Sequence, residues 1–589
     1  MIRDLIFDIV ARSVAALREQ GTLPDVELPD FDIERPQIAA HGDYATNVAM
    51  KLASAAKAAG VKLNPRAAAE QIAARIRETV DVVPAYALVE SVEVAGPGFI
   101  NLRLKPDWLL EQANTIVAAQ YAFGSSETGR GQKVNLEFVS ANPTGPVTVG
   151  NGRGAFIGDT LGTLMRAAGY EVTKEYYFND AGAQIEKLGR SMEYYLRLAL
   201  GEAEPAKPQE GYFGDYYEHV AQQMLEDGGR ELLALAEAER AARIGAAAAR
   251  VIMGDIKQTM EKFHVDFDVF FNQADLESSS EVAEAIAYLR EQGYLEEREG
   301  ALWAMTGRFE RETSKEGEVQ GRVVVRSNGQ PTYFASDIAY MRNKFLRGFD
   351  KLIMVLGPDH HGYIPRLKAV AQMLGHAPED LHILIYQNVT VKGERMGKRK
   401  GNYITLDELY DEVGPDITRF FYLMRSSDTH LDFDLDLARK QSDENPGLSV
   451  QYAHARAAGV FRKAAEQGIF EPQWEGAQMA ALLHDAPEQF DRELALLRQL
   501  LRLEEVVERA ALTYEPHIMT RYGMDVADAF HQFYDHCPIL KAGAEVTPEV
   551  RGARLKLLRA AQIGLARTLT LLGMSAPERM EREEQPASA

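Results

Sequence analysis

Apolar residues follow helical spacing at the start of the chain, and strand-like alternation follows before residue 115. An apolar face predicts a helix over residues 1–20 and is formed by Ile2, Leu5, Ile6, Ile9, Val10 and Val14. Further helices are predicted over 46–59 and from Asn64-Pro65, where an N-cap residue precedes proline at the first helical position. Strand-like runs follow within 89–103. The pattern predicts a small α+β domain over residues 1–115.

Strand-like and helix-like segments alternate from about residue 116 to 445, as a parallel sheet covered by helices requires. The predicted strands are 134–139, 171–178, 352–356 and 383–387. Residues 190–330 interrupt this rhythm with an Ala- and Glu-rich helical stretch at 228–263 and a hairpin signal at Ser327-Asn328-Gly329. We interpret this interval as an insertion between the two halves of an α/β Rossmann-like domain.

Helical spacing dominates the remainder of the chain. The predicted helical runs are 447–466, 476–512, 521–537 and 548–573, and they indicate an all-α helical bundle over 446–589. A chain of 589 residues is too long for one hydrophobic core. The predicted fold class is therefore multidomain, with an N-terminal α+β domain, a Rossmann-like α/β domain carrying an insertion, and a C-terminal helical bundle.

Composition narrows the class of protein. A content of 46% hydrophobic and 26% charged residues is typical of soluble globular proteins, and no apolar run is long enough to span a bilayer. The single cysteine, Cys537, excludes an intramolecular disulfide and fits the cytoplasm. A net charge of −22 argues mildly against a nucleic-acid partner, although an acidic protein can carry a basic groove.

Two segments concentrate basic residues. One covers 392–400, and the other is the run of Arg551, Arg554, Lys556, Arg559 and Arg567. For the second run alone, a solvated helix face is the favoured interpretation.

A glycine-rich turn joins the predicted strand 134–139 to a helix that begins near Ala155. Gly150, Gly152 and Gly154 would let a ligand approach the backbone, and a helix N-terminus offers free N–H groups to a phosphate. The spacing matches neither the dinucleotide fingerprint nor a P-loop. On its own the turn is equally explained by close packing of a helix on a sheet.

Together with the basic segment 392–400, this turn resembles the paired motifs of class I aminoacyl-tRNA synthetases. Thr148-Val149-Gly150-Asn151 stands in the place of the "HIGH" element, and Arg395-Met396-Gly397-Lys398-Arg399 in that of the "KMSKS" element. The segments 137–146, 179–182 and 451–456 narrow the resemblance to arginyl-tRNA synthetases. It extends over nearly the whole chain and is weakest at roughly 190–300.

The resemblance implies ATP-dependent ligation of L-arginine to tRNA(Arg) through an arginyl-adenylate. The implied partners are tRNA(Arg), L-arginine and ATP with its Mg²⁺. No association with a membrane is expected. No protein metal site is expected, because the adjacent histidines His360 and His361 have no Cys or His partner at zinc-like spacing. A cytoplasmic monomer is expected, since the predicted bundle shows no long heptad seam.

Adenylate formation needs positioning and charge stabilisation more than a base, because the attacking carboxylate is already a nucleophile. The motifs imply that Lys398 contacts the pyrophosphate oxygens and that Thr148 and Asn151 donate hydrogen bonds to phosphate. The other expected ATP-binding residues are Gly150, Gly152, His360, His361 and Met396. Because Thr148 and Asn151 replace two histidines of the usual motif, a non-catalytic tRNA-binding paralogue is the alternative.

Arginine recognition needs carboxylates, because a guanidinium is planar, always charged and best matched by bidentate acceptors. The resemblance implies that Glu137 and Asn142 bind the α-amino end, and Tyr333 and Asp337 the guanidinium. The last two share a face if their segment is helical. Without the resemblance, they would be a helix-start carboxylate beside a core tyrosine. A synthetase for another amino acid is a second alternative.

The resemblance also implies contacts with tRNA in the two terminal domains. Phe99 and Asn101 would meet the D-loop corner, by stacking and hydrogen bonding. The residues expected near the anticodon are Tyr452, Arg456, Tyr534 and Met580. For each aromatic residue of this set, a place in the hydrophobic core is the alternative.

Overall fold

The structure is a computed structural model that describes residues 2–310, 321–392, 404–470, 474–540 and 546–580. The chain folds into two compact units. Unit 1 comprises Met1–Gly124, Ala453–Glu505 and Asp525–Arg567, and unit 2 comprises Ser125–Tyr452, Val506–Met524 and Thr568–Ala589. No helix within the described ranges is long and apolar enough to cross a membrane.

The amino-terminal part of unit 1 is a four-stranded antiparallel sheet with helices. Its elements are α1 (Ile2–Glu19), β1 (Ile33–Glu34), β2 (Tyr44–Thr46), α2 (Val48–Ala58), α3 (Pro65–Val82), β3 (Val89–Ala95), β4 (Phe99–Leu104) and α4 (Pro106–Ala119). The strand order is β1-β2-β4-β3. Asn64 caps α3 as predicted, because its side-chain oxygen accepts from the N–H groups of Arg66 and Ala67 at 3.0 and 3.1 Å.

Unit 2 is built on parallel strands joined by helices. Its first elements are β5 (Lys133–Glu137), α5 (Val149–Ala167), β6 (Glu171–Phe178), α6 (Ala183–Ala199), α7 (Asp215–Glu226), α8 (Glu237–Lys262), β7 (Val269–Asn272), α9 (Gln273–Ser278), α10 (Glu281–Glu291), β8 (Leu295–Arg298), β9 (Ala301–Ala304), α11 (Gly307–Glu310) and β10 (Arg322–Val325). They are followed by α12 (Tyr333–Leu346), β11 (Lys351–Leu356), α13 (Ile364–Met373), β12 (Leu381–Ile385), β13 (Val389–Lys392), α14 (Leu406–Val413), α15 (Pro415–Leu423), β14 (Leu431–Asp434) and α16 (Leu435–Ala438).

The main sheet of unit 2 has the order β12-β11-β5-β6-β7, and every pairing in it is parallel. β7 lies inside the interval 190–330, so the main sheet continues into the stretch expected to be an insertion. A separate antiparallel sheet, β10-β9-β8, also comes from this interval. The predicted turn at Ser327-Asn328-Gly329 follows β10, where the N–H of Gly329 donates to the carbonyl of Arg326 at 2.9 Å.

The carboxyl-terminal part of the chain is helical. The helices are α17 (Pro446–Glu466), α18 (Gly476–Leu483), α19 (Pro487–Leu500), α20 (Leu503–Thr513), α21 (Ile518–His536) and α22 (Pro548–Leu571). The run predicted over 476–512 is thus three helices, and proline begins the second of them. The basic run from Arg551 to Arg567 lies on α22, and the prediction that it forms a solvated face is wrong. Arg554 is buried in unit 1, where its Nε donates to Glu493 at 2.7 Å.

A buried charge cluster joins several elements of unit 2. Asp159 of α5 pairs with Lys174 of β6 at 2.6 Å and with Arg419 of α15. Arg419 also donates to the carbonyls of Leu572 and Phe263, each at 2.9 Å. Burial would raise the pKa of Asp159, but Arg419 and Lys174 outweigh that effect and lower it. The aspartate therefore stays ionised as the counter-charge of two buried cations.

Replacing this aspartate should destabilise unit 2. Asp159→Ala leaves Lys174 and Arg419 buried without a counter-charge, so we expect a loss of about 3–5 kcal/mol in the free energy of unfolding. Urea unfolding followed by circular dichroism measures it. Glu444→Ala, which removes an exposed ion pair with Lys440, is the control and should cost less than about 1 kcal/mol. Equal losses for the two variants would contradict a stabilising role of the buried cluster.

Candidate active site

A cavity of about 610 Å³ lies in unit 2 at the carboxyl ends of β5 and β11. Residues 139–142 line one side of it, and residues 357–360 another. β5 and β11 are neighbours in the sheet. From β5 the chain continues to β6, on one side of this pair in the strand order, and from β11 it continues to β12, on the opposite side. Ligands of open α/β sheets bind at such a switch point, and the volume suits a small molecule.

A strained bend follows β5 and shapes this cavity. Val139 and Ser140 have φ angles of +66° and +38°, in a region that non-glycine residues rarely adopt. The Ser140 hydroxyl donates to Glu137 at 3.0 Å and accepts from the N–H of Tyr177 at 3.1 Å. Strain of this kind costs about 1–3 kcal/mol per residue and persists where neighbouring contacts fix it. The bend brings Ser140 into the cavity wall.

Two buried carboxylates beside the cavity are neutralised by α12. Lys344 lies 2.5 Å from Glu137 and 3.8 Å from Glu175, while Arg347 lies 2.6 Å from Glu175. The Tyr340 hydroxyl also donates to Glu175 at 2.5 Å. Burial alone would raise the pKa of Glu175, but Lys344, Arg347 and this hydrogen bond together lower it. The charges of Glu137, Glu175, Lys344 and Arg347 therefore balance one another beside the cavity.

Asp337 is also on α12, and it takes no part in these ion pairs. It lines the cavity, and no described residue gives it a hydrogen bond or an ion pair. Asp337 is exposed to the solvent of the cavity, although many protein atoms lie around its carboxylate. Burial raises its pKa to about 6, with Glu137 adding to the rise and Arg366 opposing it. The site therefore offers an unsatisfied acceptor to a cationic ligand.

Tyr333 shares the helical face of Asp337, since α12 begins at Tyr333. Its side chain is 56% exposed, which excludes the alternative of a core tyrosine. It does not line the cavity but lies beside Gly182, where an added Cβ would be 2.7 Å from the Tyr333 hydroxyl. The helical segment thus brings one of the two residues into the site and leaves the other beside it.

The first motif forms the N-terminus of α5. Thr148 is the N-cap, and the Asn151 side-chain oxygen accepts from the Thr148 N–H at 3.2 Å and from its hydroxyl at 2.8 Å. Both residues line the cavity together with Gly150. No described residue accepts from the Asn151 Nδ2, so this amide is available to a ligand. The motif therefore caps its own helix and still presents a donor.

The three glycines of the motif differ in what surrounds them. A Cβ on Gly150 would meet nothing closer than the Thr148 hydroxyl at 3.6 Å, so its backbone is open to the cavity. On Gly152 a Cβ would lie 2.7 Å from Leu406, and on Gly154 it would lie 2.8 Å from Tyr386. The ligand-access interpretation thus applies to Gly150, and the packing interpretation applies to the other two.

The second motif lies outside the described residues, and with it Met396 and Lys398. The chain is placed on both sides of it. β13 ends at Lys392, which pairs with Asp432 at 2.5 Å. At the other side the carbonyl of Ile404 accepts from the N–H of Val149 at 3.1 Å. Ile404, the first described residue after the motif, therefore bonds to the start of α5.

Beyond β11, a short 3₁₀ helix, Pro358–Tyr363, carries the two adjacent histidines. His360 lines the cavity and His361 does not. Of the residues predicted to form the site, those that line the cavity are Glu137, Asn142, Thr148, Gly150, Asn151, Asp337 and His360. Residues that sequence reasoning missed are Tyr177, Tyr340, Lys344, Tyr363, Tyr386 and Asn388. Lys344 follows Asp337 by two helical turns and so shares its helix face, but that spacing alone does not distinguish it from a solvated lysine.

The residues predicted to contact tRNA have different environments. In unit 1, Phe99 and Tyr534 are 38% and 36% exposed, so neither ring lies in the hydrophobic core. The Arg456 guanidinium lies 5.7 Å from the Tyr534 ring centroid. In unit 2, Tyr452 is only 4% exposed and occupies a core position.

The remaining two residues of this set are partly buried. Asn101 lies in β4 of unit 1, and Met580 belongs to unit 2.

Comparison with known proteins agrees with this architecture. Three family models match: "Arginyl tRNA synthetase N terminal domain" at residues 4–104, "tRNA synthetases class I (R), catalytic domain" at 113–421, and "DALR anticodon binding domain" at 450–580. The catalytic match contains both motifs and the parallel sheet. The fold and site are thus those of a class I aminoacyl-tRNA synthetase.

Whole-chain relatives make the identification more specific. An arginine–tRNA ligase of Heliobacterium modesticaldum is 44% identical over 98% of this chain and 99% of that protein. One of Carboxydothermus hydrogenoformans is 43% identical over 93% and 94%. The chain belongs to the arginyl-tRNA synthetase family, and the predicted family and fold class are confirmed. The Thermus thermophilus arginyl-tRNA synthetase structure shares the fold, with a TM-score of 0.72, 23% identity, and coverage of 98% and 100%.

The raised pKa of Asp337 predicts a pH-dependent effect on stability. The folded protein holds this proton up to about pH 6, whereas an unfolded aspartate releases it near pH 3.9, so stability falls as pH rises between these values. Asp337→Asn cannot ionise. Its unfolding midpoint should therefore exceed that of the wild type by more at about pH 7.5 than at about pH 4.5.

Thermal unfolding at the two pH values measures this difference. Asp485→Asn, which replaces a side chain that is 96% exposed, is the control for removing one surface carboxylate. A midpoint difference for Asp337→Asn that does not change with pH would contradict the raised pKa.

Proposed function

We propose that this protein ligates L-arginine to tRNA(Arg) in an ATP-dependent reaction through an arginyl-adenylate. Family membership supports the proposal. The observation that carries it is Asp337, an uncompensated carboxylate in a cavity whose wall also contains the N-terminus of α5. An anionic acceptor and a phosphate-compatible helix end within one small cavity suit a cationic amino acid and a nucleotide.

We assign arginine recognition to the β5 and α12 side of the cavity. Asp337 accepts the guanidinium, and the exposed Tyr333 lies alongside it. Glu137 and Asn142 bind the α-amino end from the strained bend. Because Lys344 already neutralises Glu137, this carboxylate contributes hydrogen bonds rather than net negative charge.

ATP binds on the α5 side. The adenine lies against the bare backbone of Gly150, near His360 and His361, and Gly152 supports the turn. Thr148 and Asn151 stand at the helix end that faces the phosphates. Lys398 and Met396 join them from the segment that ends beside Val149.

The reaction then follows from positioning. A carboxylate oxygen of arginine attacks the α-phosphorus, and the bond to the bridging oxygen breaks, so that pyrophosphate leaves. A ribose hydroxyl of tRNA next attacks the arginyl carbonyl, and AMP leaves. We assign Mg²⁺ to the ATP phosphates, whose oxygens suit its coordination.

The terminal domains bind tRNA. We assign the D-loop corner to residues 1–115 through Phe99 and Asn101, and the anticodon to 446–589 through Arg456, Tyr534, Tyr452 and Met580. The "DALR anticodon binding domain" match supports the second assignment. Of these residues, the pair Arg456 and Tyr534 has the more suitable geometry, because Tyr534 is partly exposed next to a cation. Residues 116–445 form the catalytic domain.

A cytoplasmic monomer completes the proposal. The reaction needs tRNA and ATP, which the cytoplasm supplies, and the helices of the carboxyl-terminal part show no long heptad seam in the sequence.

Arginine-dependent ATP–pyrophosphate exchange, with and without tRNA(Arg), tests the function. Exchange that depends on arginine is the expected result, and charging assays with twenty amino acids should prefer arginine. Exchange only with tRNA means that tRNA completes the site. Bound tRNA without exchange under either condition would refute the proposal and favour the non-catalytic paralogue, in which Thr148 and Asn151 no longer support catalysis.

A lysine substitution tests the second motif. Lys398→Ala removes a cation from the pyrophosphate oxygens, so adenylate formation should fall by roughly 10²–10³-fold while tRNA affinity changes little. ATP–pyrophosphate exchange and a tRNA-binding titration measure the two quantities. Lys440→Ala, on an exposed ion pair, is the matched lysine control. Equal losses of both activities would mean that Lys398 contacts tRNA or supports folding.

A further inference from the structure

Tyr363 stands where the cavity meets solvent. It lines the cavity, yet 42% of its surface is exposed. Arg366, one helical turn later, places its guanidinium carbon 4.3 Å from the centre of the Tyr363 ring. The same carbon lies 5.7 Å from the ring centre of the buried Phe334. The guanidinium thus contacts the Tyr363 ring and lies near the Phe334 ring, and Tyr363 borders the active site.

Arg366 carries a charge that no described residue neutralises through an ion pair or a hydrogen bond. Its Nε is buried and has no hydrogen-bond partner. Asp337 attracts it over a longer distance, as the opposing effect of Arg366 on the Asp337 pKa indicates. An arginine that is fixed by aromatic rings and lacks a counter-ion is prepared for an external anion.

An exposed aromatic ring beside an unpaired cation matches one nucleotide unit, because a base stacks on the ring and its phosphate pairs with the cation. The proposed reaction brings such a unit to the cavity. Its second step places the ribose of the last tRNA nucleotide at the arginyl carbonyl inside the cavity. Tyr363 and Arg366, at the edge of that cavity, offer partners for the base and phosphate of the same nucleotide.

We propose that Tyr363 and Arg366 bind the 3′-terminal nucleotide of tRNA, with the base on the Tyr363 ring and the 5′-phosphate at Arg366. This inference rests on the proposed function and adds the residues that position its second substrate. The adenine of ATP has the same stacking chemistry, so the experiment must separate the two sources.

The test compares tRNA(Arg) with the same tRNA lacking its terminal adenosine, using direct binding by fluorescence anisotropy. Wild-type protein should bind the complete tRNA roughly 5- to 100-fold more tightly, the range of one stacked base. Tyr363→Ala should bind both forms with nearly the same affinity, and Tyr363→Phe should restore the difference. Tyr121→Ala, which removes another exposed ring, should behave as wild type.

Arg366→Gln gives an independent readout. Removing one contact with a single-stranded phosphate should lower the slope of log affinity against log salt by about 0.7 for the complete tRNA. The shortened tRNA lacks that phosphate and should show no change in slope.

The outcomes separate this inference from the proposed function. A Tyr363→Ala protein that keeps the wild-type preference for the complete tRNA overturns the inference. A raised KM for ATP in the exchange assay, with that preference kept, assigns the ring to ATP and also overturns it. Wild-type protein that neither binds tRNA nor exchanges pyrophosphate would instead refute the proposed function.

Discussion

The site depends on two buried carboxylates at the centre of the sheet, which need positive counter-charges to stay ionised there. Glu137 of β5 and Glu175 of β6 are register partners, and both are buried. Like charges opposite each other repel, and the repulsion is strong where water is excluded. Lys344 and Arg347 of α12 supply the missing counter-charges, so α12 is fixed in one register against the sheet. A buried ion set is weak evidence for stability, but it defines position well. Asp337, two turns before Lys344, is thereby aimed at the cavity.

Glu137 also stabilises the bend at residues 139–140, which shapes the cavity. Glu137 accepts from Ser140, whose own oxygen is engaged by the Tyr177 N–H, so one serine links the end of β5 to β6. These contacts hold Val139 in a left-handed conformation that a β-branched residue avoids elsewhere. Strain, charge pairing and cavity shape are therefore one coupled arrangement, and a change at Glu137 affects all three.

Sequence reasoning was most successful where a pattern is local. The strand 171–178 has the predicted bounds, because turn-favouring residues stand on both sides of it, Gly169 before it and Asn179-Asp180 after it. The strand predicted at 134–139 ends earlier, at Glu137, because Phe138 and Val139 continue the apolar pattern through a bend that tertiary contacts impose. β7 has four residues and is too short to separate from the helical stretch around it. Asp337 followed from motif resemblance, whereas Lys344 could not be recognised, since an isolated helical lysine is usually solvated.

The replacement of two motif histidines by Thr148 and Asn151 has a structural explanation in α5. The two side chains form a reciprocal cap, which satisfies donors that a helix N-terminus otherwise leaves free. The cap adds order but no positive charge. In the proposed reaction, electrostatic stabilisation of the phosphates would then come from the helix dipole and from cations outside the motif. The hydrogen bond between Val149 and Ile404 fixes where the chain emerges from its most basic segment, beside the start of α5. In the proposed reaction, the cap would supply geometry and the second motif would supply charge.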